Sequence, residues 1–399
     1  MTSPPAVAVT GLGALCATGL DVTSCTDALF GPRRRPAPST RFSSEHATVY
    51  PVFELPAAFW ETSHGQGPES LSLTARLALA VAGQAFGQAG WTPEMLAREG
   101  IRAGVCIGTT VGAAMNDEAF YRAYRAGQNP DMAAIERYLA SNPAAVVATT
   151  FGLAGPRQTV ANACCSGADA IGIGASWIRA GLCDLVLAGG ADELCRFTYN
   201  GFISLMITDA APCRPFDATR KGLNLGEGAG AVVLESEALR QRRGAPAQGY
   251  VLGYGTSCDA HHLTAPHPQG AGLKRALAQS LAQVRASDVA FVNAHGTGTA
   301  DNDRVEALVM AEMLPGVPFI STKGHTGHTL GAAGAIEAVL TLACLARGKL
   351  PASAGYATPD REHPAHPSQA NVSFAARTAL SFSLAFGGAN AVLALGLDP

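Results

Sequence analysis

The chain has 399 residues, 48% hydrophobic and 15% charged, with a net charge of −3. That length buries a large core and suggests two domains or one duplicated fold, and the near-neutral balance excludes the global basic field of a nucleic-acid binder. The N-terminus lacks a charged region followed by an uninterrupted apolar run, and the best apolar stretch, 331–345, carries Glu337 and is too short for a bilayer. Neither a secretory signal nor a membrane span is therefore expected. Ten cysteines with no export signal and no C-x-x-C pair read as reduced thiols of a cytoplasmic protein, mostly small core residues, without structural zinc or another metal.

In chain order, Val7 to Gly13 reads as a short buried strand ending in glycines, and 31–40, rich in Pro and Arg, as surface loop. The apolar periodicity of 70–89 predicts a helix, and 101–108 a buried strand. Residues 168–181 read as helix, and 183–190 as a parallel core strand. The segment 355–370, rich in Pro and His, reads as loop. Alternation of buried strands with helices predicts an α/β fold. A faint internal echo accompanies it: V-T-G-L-G-A at 9–14 resembles L-G-Y-G-T-S at 252–257, and G-E-G-A-G-A-V-V-L-E at 226–235 resembles G-G-A-N-A-V-L-A-L at 387–395. With the charged segment 236–247 between them, these echoes suggest two duplicated halves, 1–242 and 243–399.

The chemistry centres on T-V-A-N-A-C-C-S-G-A-D-A-I-G at 159–172. An extended β-branched stretch runs into a small-residue corner and then a helix. A thiol at a helix N-terminus is favoured as thiolate by the partial positive charge there, and Ala163, Ser166 and Gly167 permit a tight strand-to-helix elbow. Cys164 is the expected nucleophile, and its corner leaves a backbone N–H free for an oxyanion. Cys165 is the rival, expected to point another way. The bland alternative for either is a buried structural cysteine.

Two histidines lie at element ends, where catalytic side chains collect. His295, in N-A-H-G-T-G-T at 293–299, ends an apolar run, and His328, in S-T-K-G-H-T-G-H at 321–328, precedes a small-residue helix. Neutral imidazoles can donate one N–H each, and two such donors aimed at one carbonyl would stabilise an enolate. Lys323 is a candidate buried charge tuning this network, and Glu306 a buried partner for Lys323 or for loop backbone. His325, His261, His262 and His267 read as ordinary loop residues, since no acidic ligand pattern accompanies them. Arg122, Arg125, Arg240, Arg242 and Arg243 are candidates for a docking surface, against the plainer reading of solvated arginines.

These motifs, with A-G-G-A-D-E at 188–193, R-P-F-D-A-T-R-K-G-L-N-L-G-E-G-A-G at 214–230 and F-G-G-A-N-A at 386–391, cover nearly the whole chain. The chain resembles the β-ketoacyl-acyl carrier protein synthases, the elongating ketosynthases of the thiolase superfamily. The resemblance implies a thiolase-like five-layered αβαβα sandwich of two related halves, normally dimeric. It implies that Cys164 is acylated, that His295 and His328 bind the malonyl thioester carbonyl, and that Lys323 and Glu306 maintain the polar network. It further implies an oxyanion hole from the N–H groups of Cys164 and Phe386, with Phe386 as the gate between half-reactions. Thr297 and Thr299 would contact the phosphopantetheine arm, which arrives on the acyl carrier protein, so no resident cofactor is implied. Val111, in G-T-T-V-G, would lie near the floor of the acyl pocket.

Asn162, Cys165 and Leu384 depart from the common pattern without removing a catalytic group. They suggest a specialised synthase resembling discrete type II polyketide or polyene ketosynthases, as a homodimer or paired with a chain-length-factor-like subunit. A housekeeping fatty-acid ketosynthase is the alternative, as is a largely structural chain-length subunit, against which the cysteine argues. A thiolase would need a second cysteine late in the chain, and none follows Cys344. A starter-condensing synthase would use Cys-His-Asn, and a papain-like hydrolase a closely coupled base on another fold.

Overall fold

A computed structural model describes residues 5–67, 70–98, 100–112 and 117–399. The first half contributes β1 (Val7–Cys16), β2 (Ala103–Gly108), β3 (Arg157–Val160), β4 (Leu185–Asp192) and β5 (Gly228–Ser236). The second contributes β6 (Gly249–Cys258), β7 (Val289–Asn293), β8 (Phe319–Ile320), a small pair β9 (Lys349–Leu350) and β10 (Val372–Ser373), then β11 (Thr378–Ala385) and β12 (Ala389–Gly396). Apart from the small pair, the strands form one sheet in the order β3-β2-β4-β5-β1-β6-β12-β11-β7-β8. Read outward from the β1–β6 junction, the two arms follow the same order. β6, β12, β11, β7 and β8 repeat β1, β5, β4, β2 and β3. The echoed segments fall on β1 with β6 and on β5 with β12.

The layering follows from burial. β4 is buried along its whole length and pairs in parallel with β2 and antiparallel with β5. It must therefore be covered on both faces, which its continuous apolar run satisfies. Between the two sheet arms lie the helices Ser166–Arg179 and Ala333–Arg347, which pack on each other and on strands of both arms. Helix Leu73–Ala89 covers the outer face of the first arm, and helix Ala271–Ser280 covers that of the second. The result is the expected five-layered αβαβα sandwich.

Close approach in the central layer requires small residues. A Cβ on Gly167 would lie 2.8 Å from the carbonyl oxygen of Gly331 and 2.9 Å from the nitrogen of Ala335. A side chain there would push the nucleophile's helix away from the helix that follows His328. The turn Leu330–Ala332 and helix Ala333–Arg347 together are long and apolar enough to span a bilayer, but 83% of that stretch is buried inside the protein, and Glu337 within it is ion-paired. It is a core element. The segment 236–247 holds a short helix, Glu237–Arg243, seated by Leu239.

Candidate active site

The corner around Cys164 forms as expected, its helix beginning two residues before the 168 read from the sequence. Helix Ser166–Arg179 begins after Cys165, and Ala163 holds φ at 45°. That left-handed conformation is uncommon for a residue with a Cβ and is kept only where surroundings over-determine it. Here the Ser166 hydroxyl donates to the Ala163 carbonyl at 2.6 Å and accepts from the Asn162 N–H at 2.8 Å. The Asn162 amide donates to Asp169 at 2.6 Å, and the Tyr254 hydroxyl donates to the same carboxylate at 2.8 Å. The departure at Asn162 thus anchors the elbow to its own helix.

Cys164 points into a cavity of about 320 Å³ lined also by His295, His328, Phe202, Leu384 and Phe386. Cys165 points into the core, its thiol donating to the Ser383 carbonyl at 3.2 Å. Of the two adjacent cysteines, Cys164 is the one that faces the cavity. The Cys164 thiol is pushed up to about 12 by burial, with Lys323 and the Phe386 N–H pulling the other way. Burial thus works against the resting thiolate expected from the helix end. The donors at hand act on charge as it develops.

His295 and His328 face each other edge to face, with ring centroids 5.2 Å apart. The Cys164 sulfur and one nitrogen of each ring all lie within 4.8 Å of one another. Burial, reinforced by the Lys323 ammonium, holds both imidazoles well below the usual histidine range, so both are neutral. Their tautomers follow from their outer nitrogens. His328 Nδ1 accepts the Leu330 N–H at 3.3 Å, and His295 Nδ1 lies 3.1 Å from Lys323 Nζ, a donor without a lone pair. Each ring therefore carries its proton on Nε2. His328 Nε2 lies 3.1 Å from the Cys164 sulfur. Binding a metal at the inner nitrogens would require stripping those protons beside an ammonium, so the triangle suits an oxyanion better than a cation.

Lys323 is fully buried. Its ammonium donates to the His295 carbonyl at 2.6 Å and to Glu337 at 2.5 Å. Glu306 is not in direct contact with it. The Glu306 carboxylate accepts the N–H groups of His295 and Gly296 at 2.7 and 2.6 Å and the Asn302 amide at 2.7 Å. Of the two roles expected for Glu306, the structure selects the loop backbone. The partner of Lys323 is Glu337, which sequence reasoning overlooked, although a lone acid in an apolar helix is a signal that a buried cation faces it. Phe202, stacked on Phe386 at 5.6 Å, was also missed. It sits on an ordinary amphipathic helix, Arg196–Ser204, and gave no signal.

Thr297 and Thr299 line the cavity, their hydroxyls 2.8 Å apart. Leu384 lines it as well, whereas Val111, expected near its floor, does not; the Val111 N–H points toward Asp192 at 3.4 Å. The Phe386 backbone favours the charged form of Cys164. His325 is buried outside the cavity, and His262 Nδ1 accepts the N–H groups of Thr264 and Ala265, closing a loop at the cavity mouth. Of the arginines considered for docking, Arg240 pairs with Glu237 and Arg243 with buried Glu235, where it also stacks on Trp91. Both hold the short helix Glu237–Arg243 in place. Arg122 pairs with Glu118 on the surface.

Two family descriptions match the chain: the N-terminal domain of beta-ketoacyl synthase over residues 5–239 and the C-terminal domain over residues 248–357. The chain is 35% identical over 340 residues to 3-oxoacyl-[acyl-carrier-protein] synthase 2 of Rhizobium meliloti, covering 80% of this chain and 79% of the other. It is 34% identical over 380 residues to putative polyketide beta-ketoacyl synthase 1 of Streptomyces cyaneus, covering 89% of each. Among solved structures it resembles the ishigamide ketosynthase/chain length factor, with a TM-score of 0.91, 31% identity and full coverage of both chains.

Proposed function

From the premise that the chain belongs to the β-ketoacyl synthase family, we propose that it extends an acyl chain by decarboxylative condensation. The observation that carries this reading is the meeting of the Cys164 sulfur with two neutral imidazoles that both present Nε2–H, beside the Phe386 N–H. In the first half-reaction the Cys164 sulfur attacks the carbonyl of an acyl thioester on a carrier protein. The thioester bond breaks, and the thiol proton ends on the released phosphopantetheine sulfur. The N–H groups of Cys164 and Phe386 hold the oxyanion.

Malonyl-carrier protein then enters, with Thr297 and Thr299 along the path of its arm. Its carboxylate leaves as carbon dioxide, and the electron pair is delocalised onto the thioester oxygen. That oxygen accepts the Nε2–H groups of His295 and His328. The enolate carbon attacks the acyl-Cys carbonyl, and the Cys164 thiolate departs and regains a proton. The product is a 3-oxoacyl-carrier protein two carbons longer. Holding both reactants in one closed cavity replaces a bimolecular encounter. Every step uses side chains, backbone amides and the carrier's own arm, so the reading needs no resident cofactor.

The finer reading is a discrete, type II polyketide or specialised fatty-acid pathway in the cytoplasm, making a polyene-like or reduced chain. It is supported by the likeness to the ketosynthase/chain length factor structure and by the departures at Asn162 and Leu384. Pairing with a second copy or with a chain-length-factor-like subunit is supported by the helices Glu118–Arg125 and Ala133–Ala140. They bury no residue against this chain and expose Tyr121, Tyr124, Tyr138 and Leu139. The likeness to 3-oxoacyl-[acyl-carrier-protein] synthase 2 keeps housekeeping fatty-acid elongation as the second reading. Intact-mass analysis after incubation with a panel of acyl-carrier proteins, followed by malonyl-carrier protein, tests both. Acylation of Cys164 and a product two carbons longer are expected. A chain that takes no acyl group from any carrier protein is not a ketosynthase.

A further inference from the structure

We propose that Asp192 is the positioning residue that fixes the proton of His328 on Nε2. The inference rests on the condensation reading above for its consequence, though not for its geometry. Asp192 ends β4, is wholly buried, and touches neither the cavity nor His328. Four donors converge on its carboxylate: the Thr109 hydroxyl at 2.7 Å and the Val111 N–H at 3.4 Å on one oxygen, and the Thr110 N–H at 2.8 Å and the Gly331 N–H at 2.6 Å on the other. The side chain thereby clamps the loop after β2 to the turn Leu330–Ala332.

That turn is the one that addresses His328. Leu330 is held at φ 53°, a conformation costly for a residue with a side chain. In it the Leu330 N–H meets His328 Nδ1, while the next N–H, that of Gly331, meets Asp192. Two successive amides thus divide their donors between the imidazole and the carboxylate. Gly331 is required here, since a Cβ would lie 2.6 Å from the Thr110 nitrogen and 2.7 Å from the Asp192 oxygen. If the carboxylate lets go, the turn loses its tie to the loop after β2, and only the packing of the buried Leu330 side chain and the Ala332 N–H on the Thr329 carbonyl are left to hold Leu330 in its strained state. Its N–H then leaves Nδ1, and the ring proton is free to move to Nδ1. Nε2 would then turn a lone pair toward the enolate oxygen and repel it.

Asp192→Asn is the sharp substitution, because all four partners donate and an amide NH₂ sets a donor against at least one of them. Asp192→Glu keeps an all-acceptor group. The readout is the tautomer of His328 in the full chain without substrate, by long-range proton–nitrogen NMR on labelled histidine, with the signal assigned by its loss in His328→Ala. The wild type is expected to show Nε2 protonated, Asp192→Asn a shift toward Nδ1 protonation, and Asp192→Glu a recovery of Nε2. In parallel, malonyl decarboxylation by Asp192→Asn falls on the order of 100-fold, as for loss of an oxyanion donor, with KM for malonyl-carrier protein unchanged and Cys164 acylation reduced far less. An unchanged tautomer in a folded Asp192→Asn overturns the proposal. So does Nδ1 protonation in the wild type, which needs no variant to fold. A wild type that shows the expected tautomer yet never decarboxylates malonyl-carrier protein overturns the functional reading and leaves the assignment of Asp192 standing.

Discussion

The Lys323 ammonium lies 3.1 Å from His295 Nδ1, and the same nitrogen is bound to Glu337 at 2.5 Å. One buried cation therefore fixes the tautomer of His295 and is itself fixed by an acid on the central helix. A lysine without that acid would be an uncompensated buried charge. An imidazole without that lysine would be free to place its proton on either nitrogen.

Glu337→Ala removes the compensating charge. Breaking one side of a buried pair costs about 3–5 kcal/mol. The urea midpoint of the variant should fall accordingly, with malonyl decarboxylation also impaired as His295 loses its fixed donor. A midpoint equal to wild type would show that Lys323 finds its compensation elsewhere.

Cys164→Ala should end acyl-enzyme formation, seen as the missing mass increase after incubation with acyl-carrier protein. Cys165 does not substitute, because its sulfur is committed to the Ser383 carbonyl inside the core. Acylation of the variant at the normal rate would mean that the nucleophile is another residue.

His328→Ala should leave acylation largely intact and block the malonyl step, since the ring supplies one of two donors to the enolate. Single-turnover acylation followed by product analysis separates the two. A variant that loses only acylation would contradict this division of labour.

Leu384→Phe adds bulk to the cavity wall. Transfer of long acyl groups should slow roughly tenfold relative to short ones, a modest discrimination of the size that apolar pockets reach. Competition between acyl-carrier proteins of different length reads the ratio directly, and an unaltered preference would place the chain elsewhere.

The contribution of Glu193 to stability should fall as pH rises between about 4.5 and 8. Burial, with the like charge of Glu227 nearby, pushes Glu193 up to about 8 from an ordinary value of 4.5. Across that window the folded state keeps a proton that the unfolded chain has lost. The contribution of this group to the slope of unfolding free energy with pH is therefore negative, at most about 1.4 kcal/mol per pH unit. The contribution is complete below the lower value and gone above the upper. Glu193→Gln should remove this contribution and make the slope more positive than that of the wild type, as followed by denaturation midpoints at several pH values.

Much of this protein was legible in one dimension. The small-residue corner at Ala163 to Gly167, the strand end at His295 and the helix approach at His328 carry local signals, because an elbow or a strand end constrains its own few residues. The duplicated order of the two sheet arms left an echo for the same reason, since each glycine corner is a local requirement. Glu337 left a signal as a lone acid in an apolar helix, but neither its partner nor the partners of Asp192 were legible. Each acts on a group far away in sequence, and a buried charge is defined by whatever is packed against it.

The chain by itself therefore pointed to Cys164, to the two imidazoles that meet it and to the architecture that carries them. The tertiary structure alone decided which acid neutralises Lys323, that Glu306 serves loop amides, that Val111 lies off the cavity, and which nitrogen of each histidine holds the proton. The physical reason is that hydrogen-bond donors and desolvation come from neighbours in space. Folding chooses those neighbours by closing two sheet arms around one pair of helices.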